Sequence, residues 1–261
     1  MPRPLLRSAA AALAPLLVVA VACGGDDNNG SSGSAGTSGS SGGTSGSSGS
    51  GPSGSSGGMA FSTEPKTGVA TFYDYSGGSE VACSFDKTFD AMITAIDPGE
   101  FAKSNACGAC VAVSGPNGKI TVHVVDLCPG CEDNHLDLSA EAFAKIADPK
   151  AGRVPITYQT VACDVSGNMS YRFKEGSSQY WTAIQVRNHR LPITKLEYKK
   201  DGTYTDMARA DYNYFIDQQG VGKQPSGLAI RITAADGQVV EDTIAGGVQD
   251  GQVVDGAAQF K

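Results

Sequence analysis

Two aspartates in a cysteine-rich stretch are the residues best placed to do chemistry. From Asn105 to Ser139 the chain reads NACGACVAVSGPNGKITVHVVDLCPGCEDNHLDLS, with Asp126 and Asp137 on either side of a loop carrying Cys128 and Cys131. Between Gly118 and Asp126, Ile120, Val122 and Val124 alternate with Thr121 and His123, the period of two of a half-buried strand. Asp126 shares the parity of the three apolar residues. On a regular strand its carboxylate therefore leaves on the core side of the sheet, or where that face opens. A carboxylate there is costly to ionise unless partnered. That makes Asp126 the first site candidate, against the plainer reading of a structural hydrogen-bonding aspartate.

Seven cysteines are present. Residues 1–22 carry Arg3 and Arg7, then an apolar run from Ala9 to Ala22 broken by Pro15. The run falls short of the ~20 residues of a membrane span and ends in small residues, so it reads as a secretory signal. Ala20-Val21-Ala22-Cys23 resembles a bacterial lipoprotein cleavage box and makes Cys23 the candidate lipidation site, with a lipid anchor in the membrane. The alternative is ordinary cleavage and full secretion. Either way the protein is expected outside the cytoplasm, anchored at the bacterial cell surface or secreted. The remaining six, Cys83, Cys107, Cys110, Cys128, Cys131 and Cys163, are an even set that reads as three disulfides among 15 connectivities. Cys107-x-x-Cys110 and Cys128-x-x-Cys131, 17 residues apart, also satisfy a four-cysteine zinc ribbon. An oxidising compartment and two leftover cysteines weigh against zinc. No metal or cofactor is expected.

The elements that must position these residues occupy the later four-fifths of the chain. Residues 23–58, almost only Gly and Ser from Gly30 onward, read as a flexible tether. Residues 59–164 hold 7 basic against 14 acidic residues, and residues 165–261 hold 11 of each. An acidic half followed by a neutral one argues against a nucleic-acid partner. All six remaining cysteines lie before residue 165, so two modules are expected, 59–164 and 165–261, the first alone stapled. In the first, Gly68–Tyr75 is β-rich, with Thr71 and Tyr73 on one parity and Asp74 on the other. Residues 88–102 are ambiguous between strand and helix. Cys110 to Val113 and Ile120 to Val125 flank the turn Gly115-Pro116-Asn117-Gly118. Ser139 is the expected N-cap of a short helix bearing Phe143 and Ile146, stopped at Asp148-Pro149. Ile156 to Val161 is a last strand. Short strands, many turns and one helix predict a closed β-barrel.

After Gly167 come cysteine-free strands with hairpin turns at Lys200-Asp201-Gly202 and Ala235-Asp236-Gly237, the pattern of a β-sandwich. Tyr171, Tyr180, Trp181, Tyr212 and Tyr214 exceed what a small core takes, so some mark a binding surface. Tyr171, Tyr198 and Phe215 are assigned to the core. His123, His135 and His189 are read as structural.

The run GVATFYDYSGG, then CGAC, VVDLCPGC, LDLS and a closing cysteine, resembles the first domain of the expansins. YRFKEGSSQYWTAIQVRNHRLPITKLEY, with DYNYF beyond it, is similar to the second domain of the bacterial members. The resemblance spans residues 66 to about 245. It implies a mostly β chain, a six-stranded double-psi β-barrel followed by an Ig-like β-sandwich of carbohydrate-binding family 63. It also implies a monomer that binds cellulose and matrix glucans and loosens walls by disrupting non-covalent polysaccharide contacts. The polar groove would be Thr71, Tyr73, Asp126 and Asp137. The aromatic platform would be Tyr180, Trp181 and Tyr212, helped by Lys174. Disulfides by the same analogy are Cys83–Cys107, Cys110–Cys163 and Cys128–Cys131.

Two rivals share the barrel or the platform. A glycosidase or lytic transglycosylase would use the carboxylates across a glycosidic bond. The related endoglucanases place their base four residues after the threonine, where this chain has Tyr75, and Asp74 lies one residue early on the wrong face. A purely adhesive lipoprotein on cellulose or peptidoglycan would need Tyr180, Trp181 and Tyr212 and ignore Asp126.

Overall fold

The computed structural model describes residues 64–75, 81–86 and 90–261. The leader, the tether and Cys23 lie outside these residues. Six strands close into a barrel: β1 (Lys66–Tyr73), β2 (Ile93–Ile96), β3 (Cys110–Gly115), β4 (Gly118–Leu127), β5 (His135–Ser139) and β6 (Val154–Val161). Their order around the barrel is β1-β5-β2-β4-β3-β6. Parallel pairs of β1 with β5 and of β2 with β4 interrupt antiparallel neighbours, so the chain crosses itself twice rather than winding up and down. The ambiguous stretch resolves into β2 and a single helical turn, α1 (Pro98–Phe101), capped by the Asp97 carboxylate on Glu100 N–H. Helix α2 (Ala140–Ile146) starts at Ser139, whose hydroxyl accepts from Ala142 N–H, and buries Phe143 and Ile146.

The barrel interior holds Ala70, Ile96, Val111, Val113, Val122, Val124, Leu136 and Leu138, all essentially inaccessible to water. Burying each of the valines, leucines and the isoleucine contributes roughly 1.5–3 kcal/mol, the main term for a barrel with little helix. Three disulfides join Cys83 to Cys107, Cys110 to Cys163 and Cys128 to Cys131. The four cysteines of the ribbon spacing are thus divided among three bridges.

The second half forms two sheets. A five-stranded sheet combines β7 (Ser170–Phe173), β8 (Thr182–Arg187), β11 (Ala208–Arg209), β12 (Phe215–Asp217) and β15 (Val253–Asp255). A four-stranded sheet combines β9 (Ile193–Lys200), β10 (Thr203–Asp206), β13 (Leu228–Ala234) and β14 (Val239–Ile244). The expected hairpins at Asp201-Gly202 and Asp236-Gly237 join β9 to β10 and β13 to β14. Tyr171, Tyr198 and Phe215 fill the core between the sheets, with Phe173, Ile184, Ile230 and Ile232.

The outer face of the five-stranded sheet meets the barrel. Gln185 and Asn213 both donate to the Cys83 carbonyl, at 2.9 and 3.2 Å. Arg209 donates to Ser104 O at 2.7 Å and to Asn213 Oδ1 at 2.9 Å, and its guanidinium lies 4.9 Å from the Phe215 ring centre. Among the described residues no helix is long and apolar enough to cross a membrane.

Candidate functional site

Strand register places the site. Thr71 on β1 pairs with Asp137 on β5, Asp137 with Ala95 on β2, and Ala95 with Asp126 on β4. Residues directly opposite in a sheet share a face, so Thr71, Asp137, Ala95 and Asp126 form one transverse row with the small alanine in the middle. The neighbouring row, Ala70, Leu136 and Ile96, belongs to the barrel interior. The row of four therefore points outward. This corrects the parity argument for Asp126. The β2–β4 register shifts between Thr94, opposite Val124, and Ala95, opposite Asp126, leaving Val125 as the extra residue of a bulge. A bulge sets two consecutive side chains on one side. Val125 packs outside the barrel with Val81 and Ile93, and Asp126 leaves on that outer face beside it.

Both carboxylates are met by donors. Asp126 Oδ1 accepts from Ala82 N–H at 2.7 Å and from its own neighbour Leu127 N–H at 2.9 Å. Thr71 Oγ1 donates to Asp137 Oδ1 at 2.5 Å. The hydroxyl has one proton, so at 2.9 Å from His135 Nε2 it must accept from an Nε2–H. His135 sits two residues before Asp137, on the same face. Its Nδ1 is buried without a hydrogen-bond partner. Burial, with Arg153 adding to it, lowers the imidazole pKa and keeps the ring neutral. Tyr73 continues the face beyond Thr71. Its hydroxyl is buried and unpartnered. Burial first, then the charges of Asp126 and Asp137, push the phenol far above its ordinary range. The Tyr73 and Tyr75 rings stand edge to face, 6.3 Å between centres, and form an aromatic wall. Asp74, on the opposite parity, is exposed beyond the strand end.

The second candidate surface lies on the outer face of the five-stranded sheet. Trp181 is half-buried against Ala183, Tyr214 and Ile216. Tyr180 and Tyr212 are the most open aromatics of the sandwich, 74% and 38% exposed. Lys174 Nζ lies 5.8 Å from the Tyr212 ring centre and 5.5 Å from that of Tyr214, a cation–π contact that holds the ammonium among the rings. Residues 81–86 run from Asp126 to this surface. Ala82 holds Asp126, and the same segment faces Lys174, Tyr212 and Tyr214 across a cleft of about 450 Å³.

Residues 68–158 match a family model described as "Lytic transglycolase". The chain is 41% identical over 195 residues to Expansin-YoaJ of Bacillus subtilis (strain 168), covering 71% of this chain and 82% of that protein. This chain belongs to the expansin family. Expansin-like protein 5 of Dictyostelium discoideum is 30% identical over 205 residues, 73% of this chain and 83% of the relative. The apo crystal structure of Clavibacter michiganensis expansin matches with a TM-score of 0.70 at 32% identity, covering 76% of this chain and 98% of that one. A point mutant of that expansin, solved in complex with cellohexaose, matches with a TM-score of 0.69, also at 32% identity and with the same coverage.

In this expansin the structure brings Thr71, Asp126 and Asp137 into one row with Tyr73 beside it. Trp181, Tyr212 and Lys174 gather around Tyr214 on a separate face, and Tyr180, the residue before Trp181, stands exposed. Reading the histidines as structural passed over His135, which touches Thr71 directly. The available signal was its spacing, since the first and third residues of HLD share a strand face. Gln185, Asn213 and Arg209, which dock the two surfaces, gave no sequence signal.

Proposed function

We propose that this chain is a carbohydrate-binding, wall-loosening protein that grips cellulose and matrix glucans and separates them without cutting a glycosidic bond. What supports the reading is the pairing of a carboxylate row used as hydrogen-bond acceptors with an open aromatic platform on one folded unit. Here the Oδ1 atoms of both carboxylates are taken up by donors, the Thr71 hydroxyl on Asp137 and two backbone N–H groups on Asp126. Acceptors on one row can exchange for hydroxyl–hydroxyl contacts between glucan chains. Rigid aromatic rings stack on sugar faces at little entropic cost. The cellohexaose complex of the Clavibacter relative agrees with a β-glucan ligand. We assign the groove to Thr71, Tyr73, Asp126 and Asp137, the platform to Tyr180, Trp181 and Tyr212 with Lys174, residues 59–164 and 165–261 to two modules, and residues 1–58 to an export signal and tether anchored through Cys23. Peptidoglycan is the alternative polymer.

One observation favours glycosidic cleavage instead. Asp126 and Asp137 lie two strands apart, about 10 Å by strand spacing. That is close to the ~6.5–9.5 Å carboxyl separation of inverting glycosidases, and the matching family model carries a lytic description. The protein incubated with amorphous cellulose, mixed-linkage β-glucan and peptidoglycan, with soluble products followed by mass spectrometry, separates the two. No new saccharide ends, with the protein depleted onto cellulose and paper strips weakened, is the expected result. New ends that vanish in Asp137→Asn would overturn it.

A further inference from the structure

Three loops at one end of the sandwich border an open groove of about 480 Å³ that the cellulose reading does not use. They are the connections before β8, after β12 and after β14, so both sheets contribute. The volume falls within the ~300–1,000 Å³ of ligand clefts. Tyr180, the most exposed aromatic of the described residues, forms one wall. With Tyr180 assigned to the platform, its ring would serve two places, the platform and the groove. Gln179, Gln224 and Lys223 supply the polar lining, and Pro225 and Val248 the apolar part. No acidic residue lines it, and the one charge, Lys223, is exposed.

The walls are built rather than loose. Gly222 N–H donates to Gln179 O at 3.0 Å, tying the second loop to the first. Gly220, at φ +72°, lies so close to Gln179 that a β-carbon would come within 2.3 Å of its carbonyl. Gly247, at φ +70°, brings the third loop against the second less tightly, with a β-carbon there 3.2 Å from the Gln224 carbonyl. Gln224 Nε2 donates to Val221 O at 2.8 Å, which fixes that amide's rotamer. A preformed cleft with one aromatic face and side-chain amides offers stacking plus paired donor and acceptor, the requirements of a neutral pyranose. A flat, unbranched chain stacked on Tyr180 would lie beside this groove, since that ring forms one of its walls. A sugar attached to that chain and leaving its plane would drop into it.

We propose that the groove beside Tyr180 is a subsite for single neutral sugar branches carried by a β-1,4-glucan whose backbone lies on the platform. The inference rests on the glucan-binding reading and adds a preference to it. Isothermal titration of the full chain with cellotetraose and with cellotetraose bearing xylosyl branches tests it. The branched ligand should bind at least about five-fold tighter. Gln179→Ala and Lys223→Trp, the latter filling the groove from an exposed position, should each abolish that advantage and leave cellotetraose affinity unchanged. Equal affinity of wild type for the two ligands, or a branch preference that survives both variants, would overturn the subsite while leaving glucan binding intact. Neither ligand bound would overturn both readings together. A gain shown equally by unbranched cellohexaose would place a chain end in the groove and likewise remove the branch assignment.

Discussion

Replacing Asp126 by asparagine and by alanine separates the charge of its carboxylate from its structural work. Its Oδ1 receives two backbone N–H groups, from Ala82 at 2.7 Å and Leu127 at 2.9 Å. Hydrogen bonds to a charged acceptor contribute about 1.5–3 kcal/mol each. Asp126 is only half-buried, so the lower end applies, and alanine should cost about 3 kcal/mol by removing both. Asparagine keeps an oxygen in the same place. It loses the charge assistance but no longer carries the desolvation of an ionised group, a net cost of about 1 kcal/mol. A folded unit of this size shifts its Tm by about 2–4 °C per kcal/mol. Thermal melts should then fall by about 6–12 °C for alanine and about 2–4 °C for asparagine. Weakening of paper strips should be lost in both, with depletion onto cellulose retained by asparagine. An asparagine variant that melts as low as alanine would show that the aspartate matters to the fold alone. One that melts well and still weakens paper would show that its charge is irrelevant to the groove.

Other expectations concern the rest of the chain. On chain entropy the Cys110–Cys163 bridge, which spans 53 residues, should contribute about 4 kcal/mol, Cys83–Cys107 about 3.5 and Cys128–Cys131 about 2. Paired Cys→Ser variants should lose Tm in that order, and a reversed order would contradict it. Acid should destabilise the protein in two stages. Burial holds the His189 imidazole at about 4, against an ordinary value near 6.5, despite its bond to Leu191 O. The unfolded chain therefore takes up this proton first, and stability falls as pH drops from about 6.5 to 4. Arg231, and behind it Lys195, hold the Glu197 carboxyl at about 2 against the opposing effect of burial. That contribution is present above the ordinary carboxylate range and is lost as pH falls towards 2. Melts of His189→Gln and Glu197→Gln across pH 7 to 2 should each flatten one stage, and unchanged profiles would refute the assignments.

Much of this architecture was legible because local pattern and global fold agree. The Pro116-Asn117 turn, the Ser139 cap and the Asp-Gly hairpins each sit where their chemistry alone puts them. Asp126 ends the strand that alternation predicts but leaves on the other face. Strict alternation carries a side chain's direction only while the ladder is regular, and the two adjacent valines before Asp126, both buried, were the mark of the bulge. The groove beside Tyr180 was invisible for another reason: its walls come from three separate loops, two of them tied by the Gly222–Gln179 backbone hydrogen bond and the third packed on Gln224 at Gly247, and glycines leave no hydrophobic pattern. The docking residues were equally silent, since Gln185 and Asn213 bind a carbonyl more than 100 positions away and any residue offers one of those.

That docking has a mechanical side. A polymer held on Tyr212 and pulled would load the next residue, Asn213, whose amide grips the Cys83 carbonyl with Gln185 alongside. From Cys83 the load enters the barrel through a covalent bridge to Cys107 and, one residue earlier, reaches the Ala82 N–H that holds Asp126. Hydrogen bonds that share a load must break together, and the disulfide keeps the receiving strap from peeling. On the proposed function, tension in a polymer held there and the geometry around Asp126 would lie on one line of force, and a pull on the sandwich would be felt at the row of Thr71, Asp137 and Asp126.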